Sequence, residues 1–254
     1  MRCCLVLTVL ACFCLASSLA TSQEQSLQHP PDYPGVRTHI PGVFITPTAG
    51  APFSGVVEIV SKELLPDGSV YVRRTFNNIG RNSAGTIHNE TRRLVPPTFQ
   101  GEPDVLSFHI YDPHTRLSTF VYPKTHIARE VLLKEQPAVP PNSTPATLEG
   151  AQGGKLTTKD LGTQTVARVL LIGTRKQRTI PANFSGTGRE VTITDDYWYS
   201  EELKVYLVLR HNDPRTGEQT VGITKVERGE PDAALFHVPA GYKVLDETPI
   251  AESP

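Results

Sequence analysis

Cysteine is absent downstream of Cys14: the four cysteines of this 254-residue chain are Cys3, Cys4, Cys12 and Cys14. Beyond that point disulfides, thiol nucleophiles and thiolate ligands are excluded, and a folded domain must be held by its core alone. An excess of charge of one sign is also missing. Lys and Arg number 25 and Asp and Glu 26, which removes the electrostatic ground for expecting nucleic acid or an anionic membrane surface as partner. After Ala20 no apolar run is long enough for a transmembrane helix. The eight His form no HExxH, HxH or Cys/His cluster, so no metal is implied. His88 and His109 fall on predicted strands, and His114 and His211 lie beside turns. No Gly-x-Ser-x-Gly elbow occurs, and Gly153-Gly154-Lys155 and Gly186-Thr187-Gly188 lack the phosphate-binding frames. No catalytic residue and no cofactor is expected, although catalytic groups can also converge from distant strands.

What is present begins at the N-terminus. Met1-Arg2, the apolar run from Cys3 and the small residues Ser18-Leu19-Ala20 read as a secretory signal peptide covering residues 1–20. Val9-Leu10-Ala11-Cys12 resembles a lipobox, so a lipid anchor at Cys12 is the competing reading. An exported chain without disulfides points to a bacterial periplasm or envelope, or to secretion. Residues 21–52 are rich in Pro, Gln, Ser and His and read as a flexible leader, in which Val43-Phe44-Ile45 could add an edge strand. Residues 53–244 carry the strand patterns of one domain, interrupted by a Pro/Gly-rich loop over 134–159, and residues 245–254 read as a polar tail.

The domain is organised around residues 195–227, which hold the only Trp and the clearest hairpin. Val205, Leu207 and Leu209 alternate with Tyr206, Val208 and Arg210, the period of a strand. Asp213-Pro214-Arg215-Thr216-Gly217 is a turn, and Val221 and Ile223 return on the other side. Further strands are predicted over 54–65, 70–76, 86–94, 105–111, 117–122, 163–173 and 174–180, with 191–194 leading into Tyr197-Trp198-Tyr199. Thr125 to Lys134 is the best helical candidate, with Ile127, Val131 and Leu132 on one side. The expected fold is mostly β: a single curved antiparallel sheet, half-barrel-like, with one or two short helices. Asp195 and Asp196 read as solvated charges flanking a turn, pointing to opposite faces. Arg175-Lys176-Gln177-Arg178 reads as a wet strand face, with an anionic ligand or lipid head group as the alternative. Trp198, Tyr199 and Tyr206 are the candidate ligand-binding residues, either as core packing with hydroxyls at the rim or as the wall of a cavity for an apolar ligand.

Thr174-Arg175, Thr179-Ile180-Pro181, Trp198-Tyr199-Ser200, Asp213-Pro214-Arg215, Gly217-Glu218, Pro231-Asp232, Leu235-Phe236 and Val238-Pro239-Ala240 together resemble a group of uncharacterised exported proteins from acidobacteria. That resemblance implies a location and no activity. More distantly, a Trp-Tyr strand followed by a closing Phe-x-Val-Pro resembles the periplasmic lipoprotein-carrier domains of the LolA/LolB kind. These imply a curved half-barrel that holds acyl chains, and related domains sense envelope stress. The function expected is non-catalytic binding of an apolar or lipid-like ligand by an exported envelope protein. The alternatives are a protein-interaction or envelope-stress sensor module docking on an envelope partner and, last, a hydrolase.

Overall fold

The period-two pattern is realised as twelve strands in one curved, open sheet; the computed structural model describes residues 42–134 and 154–249. The strands are β1 (Phe53–Leu64), β2 (Val70–Arg81), β3 (Ile87–Arg92), β4 (Val105–Asp112), β5 (Leu117–Tyr122), β6 (Ile127–Leu132), β7 (Lys155–Val166), β8 (Val169–Ile180), β9 (Val191–Ser200), β10 (Val205–Asp213), β11 (Gly217–Arg228) and β12 (Lys243–Asp246). A single turn of 3-10 helix spans Ala233–Phe236. The order across the sheet is β12-β6-β5-β4-β3-β2-β1-β11-β10-β9-β8-β7. Two runs of consecutive strands thus meet where β1 pairs with β11. All neighbours are antiparallel except β12, which lies parallel to β6 and makes the sheet mixed.

β1 shows why these residues form strands. Phe53, Gly55, Val57 and Ile59 are all buried, while Ser54, Val56, Glu58 and Val60 between them are half-exposed. The two Asp-Pro turns close their hairpins by the same chemistry. The Asp112 carboxylate accepts from the His114 backbone N–H at 2.9 Å, and that of Asp213 from Arg215 N–H at 2.9 Å.

The structure corrects the expectation at three places. Residues 125–134, expected as a helix, contain β6: Ala128 is fully buried against Val121, and β6 is hydrogen-bonded to β5 and β12 on its two sides. Pairing on both edges outweighs the helical spacing, and the β-branched Ile127 and Val131 suit a strand. The strand expected to run unbroken from 163 to 173 reverses at Ala167-Arg168, whose φ values are 48° and 62°, so that β7 and β8 form a long hairpin. β7 begins at Lys155, inside the stretch expected as loop.

The main core gathers Phe53, Val57, Ile59 and Ile79 with Leu171, Trp198, Leu207, Val221 and Ile223. Val43 and Ile45, from the segment before β1, are buried in it too, and Ile45 bridges to Val205. That segment is fastened by Arg81, which is fully buried. Its Nη1 donates to Thr46 O at 2.7 Å, its Nε and Nη2 donate to Ala51 O at 3.0 and 2.7 Å, and Nη2 also donates to Leu203 O. Burial pushes this guanidinium below its usual range. A smaller core of Ile110, Val121 and Ala128 is covered by Val238 and Tyr242.

His88 of β3 is buried, donates from Nδ1 to Leu235 O at 2.8 Å and leaves Nε2 without a hydrogen-bond partner. Burial, the largest influence, pushes its imidazolium below the usual range; Glu90 and the Leu235 carbonyl pull partly the other way. His109 is pushed down by burial and by the charge of His88. The unfolded chain then takes up protons near the ordinary histidine value, while the folded chain resists. Stability is therefore full above about pH 6.5 and falls on acidification below it, by up to about 1.4 kcal/mol per pH unit for each proton withheld. Urea midpoints at neutral and mildly acidic pH, compared between the natural chain and His88→Gln, are expected to show that loss shrinking in the variant.

Candidate functional site

Directly paired residues in an antiparallel ladder share a face of the sheet. Reading across β8 to β2, three successive rows on one face change character. The first row is aromatic and apolar: Ile172, Tyr199 and Tyr206. The second is mainly apolar: Thr174, Tyr197, Leu209, Val221, Ile59 and Thr75. The third is wholly polar: Lys176, Asp195, His211, Gln219, Ser61 and Arg73. A bulge between Tyr206 and Val208 inserts Leu207 and lets the aromatic row lean over the apolar one. Tyr206 touches Tyr199 and Tyr197 at ring-centroid distances of 5.0 and 6.0 Å.

The polar row is not the solvated turn that the sequence suggests. Asp195 is 2 % exposed and Asp196 is 6 % exposed. They do point to opposite faces, and each has found a partner there. Asp196 takes a bidentate grip from Arg175, at 2.6 Å to Nε and 2.7 Å to Nη2. Asp195 Oδ1 lies 2.7 Å from His211 Nδ1 in a buried pair. The carboxylate accepts, so Nδ1 carries the proton. Neither Asp195 Oδ2 nor His211 Nε2 has a hydrogen-bond partner, and both are out of contact with solvent.

The two partners of this dyad line different cavities. His211 borders a polar cavity of about 260 Å³ with Ser61, Glu63, Arg73 and Thr216. Asp195 borders a mainly apolar cavity of about 140 Å³, walled by Phe44, Tyr197, Tyr206 and Leu209, with Gly42, Asp196 and Arg210 completing it. Lys176 Nζ sits 5.7 Å from the centroid of the Tyr197 ring, a cation–π distance. Burial pushes the Lys176 ammonium down, and the charge of Asp195 pulls it partly back. Burial, helped by Tyr199, pushes the Tyr206 phenol up, so it stays neutral.

Of the residues singled out in the sequence, Tyr206 lines the apolar cavity and Tyr199 stands beside it, half-buried. Trp198 is buried on the opposite face of β9, its ring so close to Gly173 that a Cβ there would come within 2.6 Å of it. Arg175 to Arg178 lie half-buried along β8 rather than as a wet face. Phe44, Asp195 and His211 are not among the site residues the sequence singles out, whereas Tyr197 belongs to the same aromatic stretch as Trp198 and Tyr199. Phe44 comes from the leader and the Asp195–His211 pair joins two strands, so no local spacing could have assembled them. Among the described residues no three His, Asp or Glu side chains are grouped as a metal site, and no helix is long and apolar enough to cross a membrane.

No family model matches the chain, and no curated protein matches it. Solved structures are remotely similar. One is an uncharacterised conserved protein from Thermus thermophilus, 8 % identical, covering 77 % of this chain and 90 % of that one at a TM-score of 0.40. MucB in complex with MucA(peri) is 10 % identical and covers 77 % of this chain and 57 % of its own at 0.37. A putative outer membrane lipoprotein-sorting protein domain from Vibrio parahaemolyticus is 9 % identical, covering 72 % and 88 % at 0.18. The acidobacterial resemblance has no counterpart among these matches, and at such likeness the function rests on this chain's own residues.

Proposed function

We propose that this is an exported envelope protein that binds an apolar, lipid-like ligand, without catalysis, at the aromatic end of the sheet face. The observation that carries the reading is the cavity walled by Phe44, Tyr197, Tyr206 and Leu209, together with an exposed apolar strip that shares the sheet face of Tyr206. In that strip Leu170 and Ile172 are 60 % and 44 % exposed, and Ile172 continues the row of Tyr199 and Tyr206. Apolar groups left together in water on a rigid sheet are the mark of a binding surface. In this reading Tyr206 is wall, Tyr199 supports it, and Trp198 acts from the opposite face by holding β8 and β9 in register. Export rests on the charged start, apolar core and small-residue end of residues 1–20; cleavage before Cys12 with lipidation is the less favoured route.

A free sheet edge favours the second reading, a protein-interaction module. Among the described residues β7 is paired on one side only, along twelve residues. Its Lys155, Lys159 and Asp160 and the irregularity between Asp160 and Gly162 are features that discourage strand addition, so the apolar face is preferred.

The test is retention. The purified protein is incubated with fatty acids and phospholipids, separated from free lipid and analysed by native mass spectrometry. A lipid adduct that is lost in Tyr206→Ser is expected. Absence of any retained lipid in the natural chain overturns the reading.

A further inference from the structure

We infer that the aromatic cavity takes an alkylammonium group, held by the Phe44, Tyr197 and Tyr206 rings beside Asp195, whose Oδ2 is uncommitted. The inference rests on the proposed apolar site and specifies which chemistry enters it. Three observations carry it. First, the wall holds three aromatic rings, whose faces attract cations as well as apolar groups. Second, Asp195 is one of the residues lining the cavity, is 2 % exposed, and spends only Oδ1 of its carboxylate on His211. A buried carboxylate oxygen with no donor is costly, and a ligand that brings an N–H or a positive charge relieves that cost. Third, the protein already places a cation on this wall, because Lys176 Nζ stands at 5.7 Å from the Tyr197 ring centroid.

The other charged groups nearby do not satisfy Oδ2. Arg175 is committed to Asp196 on the opposite face, and Arg210 pairs across the ladder with Asp196 rather than with Asp195. His211 is engaged through Nδ1. Lys176 competes electrostatically for Asp195 without hydrogen-bonding it, so it is the resident cation that a ligand ammonium must outweigh. An alkyl chain leaving the cavity would run along Ile172 and Leu170, which are exposed on the same face. The ammonium can therefore belong to an amphiphile or to a small free amine; the chemistry recognised is the same.

Calorimetric titration with hexylammonium and with hexanol, its neutral counterpart, separates charge from apolar contact. Hexylammonium is expected to bind about tenfold more tightly than hexanol. Tyr206→Leu keeps the apolar contact but removes the ring, and Tyr206 is exposed enough for the variant to fold. It should lose most of that preference, whereas Lys176→Met should strengthen hexylammonium binding. Dodecylammonium below its micelle concentration binding more tightly than hexylammonium identifies an amphiphile as the source; equal affinity identifies a free amine. Equal binding of hexylammonium and hexanol overturns the cation assignment and leaves the apolar site standing. If neither binds while fatty acids are retained, the cation assignment alone fails; if nothing is retained, both fail.

Discussion

Arg81→Met is expected to lower the unfolding free energy by roughly 3–5 kcal/mol, with a fall in the urea midpoint at unchanged slope. The side chain is buried and its donors meet three backbone carbonyls, those of Thr46, Ala51 and Leu203. Methionine fills the aliphatic part of the space, and the guanidinium also stands over the Phe53 ring at 5.3 Å. What the variant cannot replace is the set of donors. Thr46 O keeps the Thr48 N–H at 2.9 Å, but the Ala51 and Leu203 carbonyls each lose their donor at a cost of about 1–3 kcal/mol, and together they reach the expected loss in the middle of that range. The consequence extends to the ligand. Thr46 and Ala51 follow Val43, Phe44 and Ile45 in the chain and tether that segment, so loosening their carbonyls frees the Phe44 side of the cavity. Lipid retention should fall in Arg81→Met under conditions where the sheet is still folded. A variant that keeps both its midpoint and its lipid would show that water replaces the guanidinium and that the segment is held by Val43 and Ile45 alone.

Where local chemistry decides an element, the sequence was readable; where a distant partner decides it, it was not. The Asp112 and Asp213 turns were legible because Asp, Pro and the residues after them carry their own hydrogen-bond instructions. The reversal at Ala167-Arg168 was not, because neither residue advertises a positive φ; the pairing of β7 with β8 imposes it. Residues 125–134 misled for the same reason, their helical spacing yielding to two neighbouring strands. In the site, Tyr206 and Tyr199 were legible as adjacent aromatics on predicted strands. Phe44 and Asp195 were not. Phe44 comes from a stretch with no periodicity, and Asp195-Asp196 looks like a charged turn until Arg175 and His211 are brought against it. Arg81 gave no signal at all, since nothing in the order of residues around it distinguishes a fully buried arginine from a surface one.

His211→Ala is expected to destabilise the protein by roughly 3–5 kcal/mol, because it leaves the Asp195 carboxylate buried with both oxygens unpartnered. The size of this loss is not the worth of the pair. Taking an aspartate and a histidine out of water costs several kcal/mol, which their mutual hydrogen bond only partly returns. Replacing both members together, Asp195→Leu with His211→Leu, removes the stranded charge and should recover most of the stability lost in His211→Ala, with the rows on either side already apolar at Leu209 and Ile193. Chemical denaturation of the two single variants and the double variant decides the point. If the double variant is as stable as the natural chain, the dyad is not there to hold the sheet. Its place between an aromatic cavity and a polar one then argues that the buried charge is kept for what it meets in those cavities. If the double variant is as unstable as His211→Ala, the polar row from Lys176 to Arg73 is itself structural, a continuous ladder across six strands whose middle cannot be removed.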